Sequence, residues 1–177
     1  MRAKNALWFG AAVVVAPLFG LGGGTASAGD IGSYTTVTQQ RLENPEVGNW
    51  LLYRRTYDGH GFSPLHQINS DNVKDLVPVW TFSTGVVEGH QAPPMVNNGT
   101  MFVTTPTNQV LALNAATGDF YWRYQPKYPD GLLQLHPTNR GAAFWGDNLY
   151  MATNDSRLIA LDAKTGKVVW EQPIGDW

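Results

Sequence analysis

An internal repeat constrains this chain more than any other feature of its sequence. Residues 112–122 and 160–170 lie 48 positions apart, and both follow the pattern A-L-[ND]-A-x-T-G-x-x-x-W. The similarity extends upstream, where residues 101–105 align with residues 149–153. A repeat of this length that is rich in strand-forming and turn-forming residues is typical of a β-propeller or another array of β-sheets.

Each repeat predicts short strands joined by tight turns. In the second repeat, residues 149–153 and 157–161 favour strands, and the Asn-Asp-Ser sequence at 154–156 favours a turn between them. Residues 105–108, Thr-Pro-Thr-Asn, take the place of that turn in the first repeat. The repeat therefore predicts consecutive antiparallel hairpins.

The residues that the two repeats share have a physical explanation. We expect the side chain of Asn114 or Asp162 to cap the turn that follows it, and Gly118 or Gly166 to adopt a positive φ. A further strand is expected to begin just before the tryptophan of each repeat, whose ring can bury a large flat surface. The alanine at the start of the pattern leaves room for close packing.

The segments before the repeats predict less regular structure. We expect a short helix from Thr38 to Leu42 that ends near Asn44-Pro45. Residues 69–76 predict a capped helical turn. Residues 77–82, Val-Pro-Val-Trp-Thr-Phe, resemble the strand that carries the tryptophan of the repeat.

Composition supports a β protein and excludes several kinds of site. Charged residues are only 15% of the chain, while glycine, proline and aromatic residues are plentiful. The formal charge of −2 and the scattered lysines and arginines give no support for a nucleic-acid partner. Because the chain has no cysteine, disulfides, thiolate nucleophiles, cysteine-zinc sites and iron–sulfur clusters are excluded.

The first 28 residues have the order of a secretory signal peptide. Arg2 and Lys4 make a basic start, residues 6–21 form a nearly uncharged apolar run, and residues 26–28 are Ala-Ser-Ala. We expect cleavage after Ala28 and a periplasmic location. A membrane anchor is the less favoured alternative, because the apolar run is short and broken by proline and glycine, and a spanning helix needs about 20 apolar residues.

The sequence resembles a known family. The tryptophan repeat is similar to the tryptophan-docking motif of quinoprotein alcohol dehydrogenases, whose cofactor is pyrroloquinoline quinone (PQQ). Residues 50–69 resemble the opening W-x-x-Y-x-R-x-Y-x-G-x-x-F-S-P-L-x-Q-I-N of that family, and residues 89–96 and 139–141 also match its recognisable blocks. The resemblance implies an all-β fold in which residues 29–177 form the N-terminal part of an eight-bladed β-propeller, incomplete in this chain.

The resemblance also implies a function and candidate ligands. It implies an oxidoreductase that oxidises alcohols with PQQ. PQQ carries three carboxylates and an o-quinone, so its site needs cationic hydrogen-bond donors. Arg140 aligns with a family arginine that contacts the cofactor, and its guanidinium could also stabilise negative charge on the quinone oxygen. Gln91 aligns with a position that is usually glutamate, where an amide can bond a carboxylate without repulsion. A surface ion pair for Arg140 and a plain loop position for Gln91 are the alternatives.

The sequence departs from the family just before Arg140. Many members carry two adjacent cysteines whose disulfide packs against PQQ, and the aligned pair here is Gln134-Leu135, followed by His136. We hypothesise that Leu135 or His136 provides the packing surface instead.

Other parts of the family pattern find no counterpart in this chain. The metal ligands, the catalytic aspartate and the aromatic floor beneath PQQ would lie beyond Trp177, so no catalytic or metal-binding residue is predicted here. In the complete enzyme the resemblance implies a Ca²⁺ or lanthanide ion, an alcohol substrate and a periplasmic electron acceptor such as a cytochrome c.

The open ends of an incomplete propeller have an energetic consequence. About three repeats cannot close a ring, since propellers have four or more blades. If each open flank exposed on the order of 500 Å² of apolar surface, about 12 kcal/mol of burial would be lost at ~25 cal/mol per Å². We therefore expect an isolated monomer to be unstable or prone to aggregate, unless a second chain completes the propeller.

The sequence leaves two alternatives to an enzyme open. The chain could belong to a non-catalytic periplasmic propeller that serves as a scaffold for protein binding, or it could be the inactive product of a decayed gene. A scaffold needs the tryptophan repeat but not the blocks at 50–69 and 139–141, so those blocks favour the enzyme.

Overall fold

The computed structural model describes the backbone of Ala26–Ser27 together with residues 31–176. Its strands, in chain order from β1 to β9, are Ala26–Ser27, Met95–Asn97, Thr100–Thr104, Val110–Asn114, Phe120–Tyr124, Ala143–Trp145, Asn148–Ala152, Arg157–Asp162 and Val168–Pro173. Helix α1 spans Gln39–Glu43, and two 3₁₀ turns span Val73–Asp75 and Pro106–Asn108.

The nine strands form two antiparallel sheets, in which β2–β5 and β6–β9 are similar four-stranded units. The first sheet has the order β1-β5-β4-β3-β2, and the second has the order β6-β7-β8-β9. Strand β6 begins 48 residues after β2, and β7 begins 48 residues after β3, so the sequence repeat is a repeat of four-stranded units. The all-β prediction is confirmed.

The turns that end the repeat pattern have the predicted chemistry. Asn114 Oδ1 accepts hydrogen bonds from the backbone N–H groups of Ala116 and Thr117, at 2.8 and 3.1 Å. Asp162 Oδ1 makes the equivalent pair of bonds with Lys164 and Thr165 in the second unit. Both turn glycines have positive φ, +77° for Gly118 and +70° for Gly166. The predicted capping side chains and turn glycines are therefore confirmed.

Each of two tryptophans lies against the turn glycine of the unit that follows it. Trp122 Nε1 donates to the carbonyl oxygen of Ala163 at 3.2 Å, and a Cβ placed on Gly166 would lie only 2.4 Å from the Trp122 ring. Trp80 repeats the arrangement one unit earlier: its Nε1 donates to Ala115 at 3.2 Å, and a Cβ on Gly118 would meet its ring at 2.7 Å. The space beside each indole therefore admits only glycine.

The main core lies where the two sheets meet. Phe102 on β3 packs edge-on against Phe144 on β6, with ring centroids 5.1 Å apart, and also contacts the fully buried Trp122. Tyr34 packs edge-on against both phenylalanines. Aromatic rings from both repeats and from the N-terminal arm thus share one cluster.

Residues 31–50 form an arm that ties the two sheets together. Val37 exchanges two backbone hydrogen bonds of 2.9 Å with Gly146, beside the second sheet. Trp50 exchanges a similar pair with Val96 on β2 of the first sheet. Arg41, on α1 between these two points, donates to the Thr35 carbonyl and to Asn97 Oδ1, and pairs with Glu46 at 2.6 Å.

The predicted helix is confirmed with slightly different ends. Thr38 is the N-cap, its hydroxyl accepting from the Arg41 N–H, and Asn44 is the C-cap of α1.

Two expectations for residues 69–82 need correction. The helical turn exists as the 3₁₀ turn Val73–Asp75, but its N-cap Asn72 makes no side-chain capping bond, because its side chain bonds the Asn69 N–H and the Gln67 carbonyl instead. Residues 77–82 do not form a strand, although Trp80 occupies the expected position. Within the described chain no neighbouring strand pairs with this segment, and a strand requires backbone partners.

The predicted signal peptide falls outside the described residues except for Ala26–Ser27, whose backbone pairs with β5. Cleavage after Ala28 would remove this short strand. No helix within residues 31–176 is long and apolar enough to cross a membrane.

We predict that Gly166→Ala destabilises the chain more than Gly146→Ala. Both glycines have positive φ, which costs an alanine about 1–2 kcal/mol. Only at Gly166 would the added methyl meet an indole ring, which adds about 1–3 kcal/mol of overpacking. Thermal or urea unfolding of the two variants measures the difference, and equal losses would contradict the close packing of Trp122.

We also predict an acid-sensitive contribution from Glu46. The hydrogen bond from Arg41 lowers the pKa of Glu46 to about 2, while an unfolded glutamate titrates near 4.3. The ion pair therefore stabilises the fold above about pH 4.3, and this contribution is lost as the pH falls towards 2. It should be no more than about 1 kcal/mol, because the Glu46 side chain is half exposed.

Glu46→Gln should lower the melting temperature at pH 7 by more than it does near pH 2. Glu43→Gln is a control on the same arm, since Glu43 faces Gln39 and not a cation. A Glu46→Gln effect that is constant across this pH range would contradict the assignment.

Candidate functional site

The predicted ligands Leu135, His136 and Arg140 lie on one loop between the two sheets. This loop, residues 125–142, connects β5 to β6 and contains no helix or strand. It crosses from the outer strand of the first unit to the first strand of the next, and so passes over the junction between them. The sequence places Arg140 three residues before β6, close to a fixed element.

Arg140 and His136 line a pocket of about 650 Å³ at this junction. The pocket is completed by the ends of both sheets and is lined by Asn108, His136, Thr138, Asn139, Arg140, Gly141, Ala152, Thr153 and Asn154. The lining contains one guanidinium, one imidazole, three amides and two hydroxyls, and no carboxylate. Such a lining suits an anionic ligand.

The Arg140 side chain is exposed, and none of the ion pairs in the described chain involves it. The alternative of a surface ion pair for Arg140 therefore has no support within residues 31–176. Next to it, the buried Asn139 accepts a 2.8 Å hydrogen bond from the Gly141 N–H, which shapes the backbone at this point.

Gln91 lies in a second, smaller pocket of about 320 Å³, lined by Trp50, Tyr53, Arg54, His90, Gln91, Ala92 and Pro93. Tyr53 lies at the border of the two pockets, since a Cβ on Gly141 would be 3.8 Å from its ring. The structure thus places Gln91 and Arg140 in neighbouring pockets and not in a single one. This second lining also lacks a carboxylate.

Leu135 and His136 differ in their surroundings. Leu135 is 84% exposed and lines neither of the two pockets, whereas His136 is exposed but lines the pocket of Arg140. Gln134, the other residue at the position of the absent cysteines, accepts a 2.8 Å hydrogen bond from the side chain of Asn154. The packing role hypothesised for Leu135 or His136 stays a prediction.

A buried ion pair lies beside the loop. Asp155 is buried and pairs with Arg157 at 2.7 Å, and Arg157 also bonds Glu171 and the carbonyl of Lys127. Burial raises the pKa of Tyr128 well above its ordinary value, with a further contribution from Asp155. Tyr128 is therefore a neutral hydroxyl near neutral pH. Arg157 is thus paired with two carboxylates, whereas Arg140 forms no ion pair within residues 31–176.

No group of three or more histidine, aspartate or glutamate side chains within residues 31–176 is arranged to hold a metal ion. His60 pairs with Asp58, and His90 contacts Thr84 and the Glu88 carbonyl.

Asn108, Thr153 and Asn154 also line the site, although their sequence predicts only turns between strands. They do lie in or beside such turns. Their common feature was nonetheless present, since both turns end the same pair of strands in successive repeats. Turns at equivalent positions of stacked sheets lie on one side of the assembly, beside the connecting loop.

Comparison with known proteins identifies the family. The family model for the β-propeller domain of glucose, ethanol and alcohol dehydrogenases that use PQQ matches residues 50–172. The chain belongs to this family. The resemblance of the tryptophan repeat and of the blocks around Gln91 and Arg140 to quinoprotein alcohol dehydrogenases is thus confirmed.

Individual relatives are named as quinone or quinohemoprotein alcohol dehydrogenases. The dehydrogenase subunit of an alcohol dehydrogenase (quinone) from Gluconobacter oxydans is 44% identical over 126 residues, which is 70% of this chain and 17% of that protein. A quinohemoprotein alcohol dehydrogenase, ADH IIB of Pseudomonas putida, is 40% identical over 132 residues, or 73% of this chain and 19% of that protein.

Solved structures support a propeller fold. A europium-containing methanol dehydrogenase superposes with a TM-score of 0.70 and 35% identity over 77% of this chain and 25% of its own. The quinohemoprotein alcohol dehydrogenase ADHIIG from Pseudomonas putida HK5 gives a TM-score of 0.71 and 34% identity, over 79% of this chain and 21% of its own. The chain thus spans about a fifth of the length of the curated relatives it matches.

Proposed function

We propose that this chain is the N-terminal part of an alcohol dehydrogenase that uses PQQ, and that it forms one side of the cofactor site. The observation that carries the proposal is the pocket at the junction of the two sheets, whose polar lining includes Arg140 and no carboxylate. Arg140 forms no ion pair within residues 31–176. A family of PQQ-dependent dehydrogenases gives this pocket its expected ligand.

The pocket residues fit the chemistry of PQQ. Arg140 would neutralise a carboxylate through charge-assisted hydrogen bonds, and His136 would present a flat ring to the planar cofactor. Gln91, in the neighbouring pocket, would donate its amide N–H groups to another oxygen, and Leu135 would need a change of the loop to reach the same ligand. Bound PQQ supplies the two-electron acceptor for alcohol oxidation.

We propose further that the two sheets are successive blades of an eight-bladed ring held together by tryptophan docking. The contacts of Trp122 with Gly166 and of Trp80 with Gly118 are equivalent. The same contact would therefore join each unit to the next. On the far side of the second sheet, β9 is exposed along its whole length and Trp170 is 41% exposed. Strand β9 is the counterpart of β5, whose Trp122 lies against the turn of the following unit, and a further blade would cover β9 in the same way.

The complete protein is proposed to be exported to the periplasm by cleavage after Ala28 and to hold a Ca²⁺ or lanthanide ion outside residues 31–176. Its substrate would be a small alcohol, and its electrons would pass to an acceptor such as a cytochrome c. The proposal leaves room for a second chain that completes the ring.

Arg140→Gln should weaken PQQ binding by roughly 10- to 100-fold, because a charge-assisted hydrogen bond is worth about 1.5–3 kcal/mol. Equilibrium dialysis of PQQ against the full 177-residue chain measures the affinity. Arg123→Gln is the matched control, since Arg123 lies on β5 and lines neither pocket. Equal affinities of Arg140→Gln and wild type, or an equal loss in the control, would refute the role of Arg140. A scaffold protein would bind no PQQ at all.

We expect the purified chain to reduce no dye with an alcohol, PQQ and added Ca²⁺ or lanthanide. Within residues 31–176 no cluster of ligands can hold the metal, and the resemblance assigns the catalytic base to a part of the family that this chain does not match. A complete quinoprotein alcohol dehydrogenase in the same assay is the positive control. Sustained alcohol-dependent reduction by this chain alone would overturn the assignment.

A further inference from the structure

The loop that carries Arg140 depends on a small number of contacts for its position. Between residues 125 and 142 it has no strand or helix of its own, so its backbone is not held by a regular hydrogen-bond pattern. Pro137 accepts a 2.7 Å hydrogen bond from the N–H of Thr107, and the Tyr128 hydroxyl lies 3.1 Å from the Thr107 carbonyl oxygen. Both contacts lead to the same turn of the first sheet.

That turn has an unusual backbone. Thr107 and Asn108 are consecutive residues with φ of +62° and +57°. Asparagine tolerates this region, but a β-branched threonine there is an outlier. Such a conformation persists only where surrounding contacts hold it, and it is found preferentially at ligand sites. Here it points the Thr107 N–H at the loop.

Asn108 connects three parts of the molecule through one atom. Its Oδ1 accepts a hydrogen bond from the Tyr128 hydroxyl at 2.5 Å and another from the Asn154 N–H at 2.9 Å. Asn108 belongs to the first sheet's turn, Tyr128 to the loop, and Asn154 to the turn between β7 and β8 of the second sheet. The residue is 1% exposed, so both bonds are shielded from water.

We infer that Asn108 is a positioning residue, which holds the loop against both sheets so that Arg140 faces the pocket between them. The inference rests on the proposed function, because Arg140 is its endpoint. Asn108 and Arg140 line the same pocket, so a change in the bonds of the Asn108 Oδ1 alters the lining that Arg140 shares. Loss of the amide would leave the Tyr128 hydroxyl and the Asn154 N–H without this acceptor and release one side of the loop.

Three variants separate this role from general stability. Asn108→Gly removes the amide but keeps the freedom to adopt positive φ. Tyr128→Phe removes only the hydroxyl that reaches Asn108. Tyr121→Phe is the matched control, because it removes a hydroxyl from β5 that bonds Asn114, at the opposite end of the strand pair.

Hydrogen exchange of the full chain, followed by mass spectrometry of its peptides, tests without any ligand whether Asn108 holds the 125–142 loop. Asn108→Gly and Tyr128→Phe should speed exchange in residues 125–142 by about tenfold, as expected for the loss of a buried hydrogen bond. Strands β3, β4, β7 and β8 should keep the exchange rates of wild type, and Tyr121→Phe should leave the loop unchanged. Unchanged loop exchange, or an equal acceleration in the strands, would overturn the inference.

A double-variant cycle with PQQ as the probe tests the connection to Arg140. Asn108→Gly should weaken PQQ binding by about tenfold in wild type but by less than about twofold in the Arg140→Gln background, because coupled residues are not additive. Equal effects in both backgrounds would show that Asn108 does not act through Arg140 and would overturn the inference. If wild type binds no PQQ, the proposed function fails. The exchange measurement still decides whether Asn108 holds the loop.

Discussion

A tryptophan ring can lie flat on a neighbouring turn only where that turn offers a residue without a side chain. Trp122 and Gly166 satisfy this condition, and the indole N–H adds a bond to the Ala163 carbonyl. The turn glycine must also adopt positive φ, which the capping carboxylate of Asp162 supports. One contact therefore explains why the asparagine or aspartate, the glycine and the tryptophan of the repeat occur together. The same contact joins β5 of the first unit to the turn between β8 and β9 of the second.

The candidate site follows from that contact. Because the two sheets are locked side by side, the loop from β5 to β6 must cross their junction, and the turns at the ends of both sheets come to lie beside it. Arg140 reaches the pocket from the loop, while Asn108 and Asn154 reach it from the two turns. The pocket is thus a product of stacking, since no single repeat contains it. Family membership and the carboxylate-free lining are the two observations that support the proposed anionic ligand.

The parts of the structure that could be predicted from sequence are those with local causes. Capping by Asn114 and the positive φ of Gly118 follow from the chemistry of a few adjacent residues, and so do the strands of the repeats. Residues 77–82 have the sequence of a strand but lack a partner in the described chain, and pairing is not a local property. The separation of Gln91 from Arg140 and the role of Asn108 likewise depend on contacts between distant segments. Such contacts cannot be predicted from residues that are adjacent in the sequence.

We propose that stacked units bring Arg140 to an anionic cofactor at their junction. A crystal structure of the chain with PQQ bound would show where the cofactor lies. PQQ is expected in the pocket between the 125–142 loop and the turn of β7 and β8, with a carboxylate about 2.7–2.9 Å from the Arg140 guanidinium. PQQ bound elsewhere, with Arg140 directed away from it into solvent, would show that this pocket is not the cofactor site.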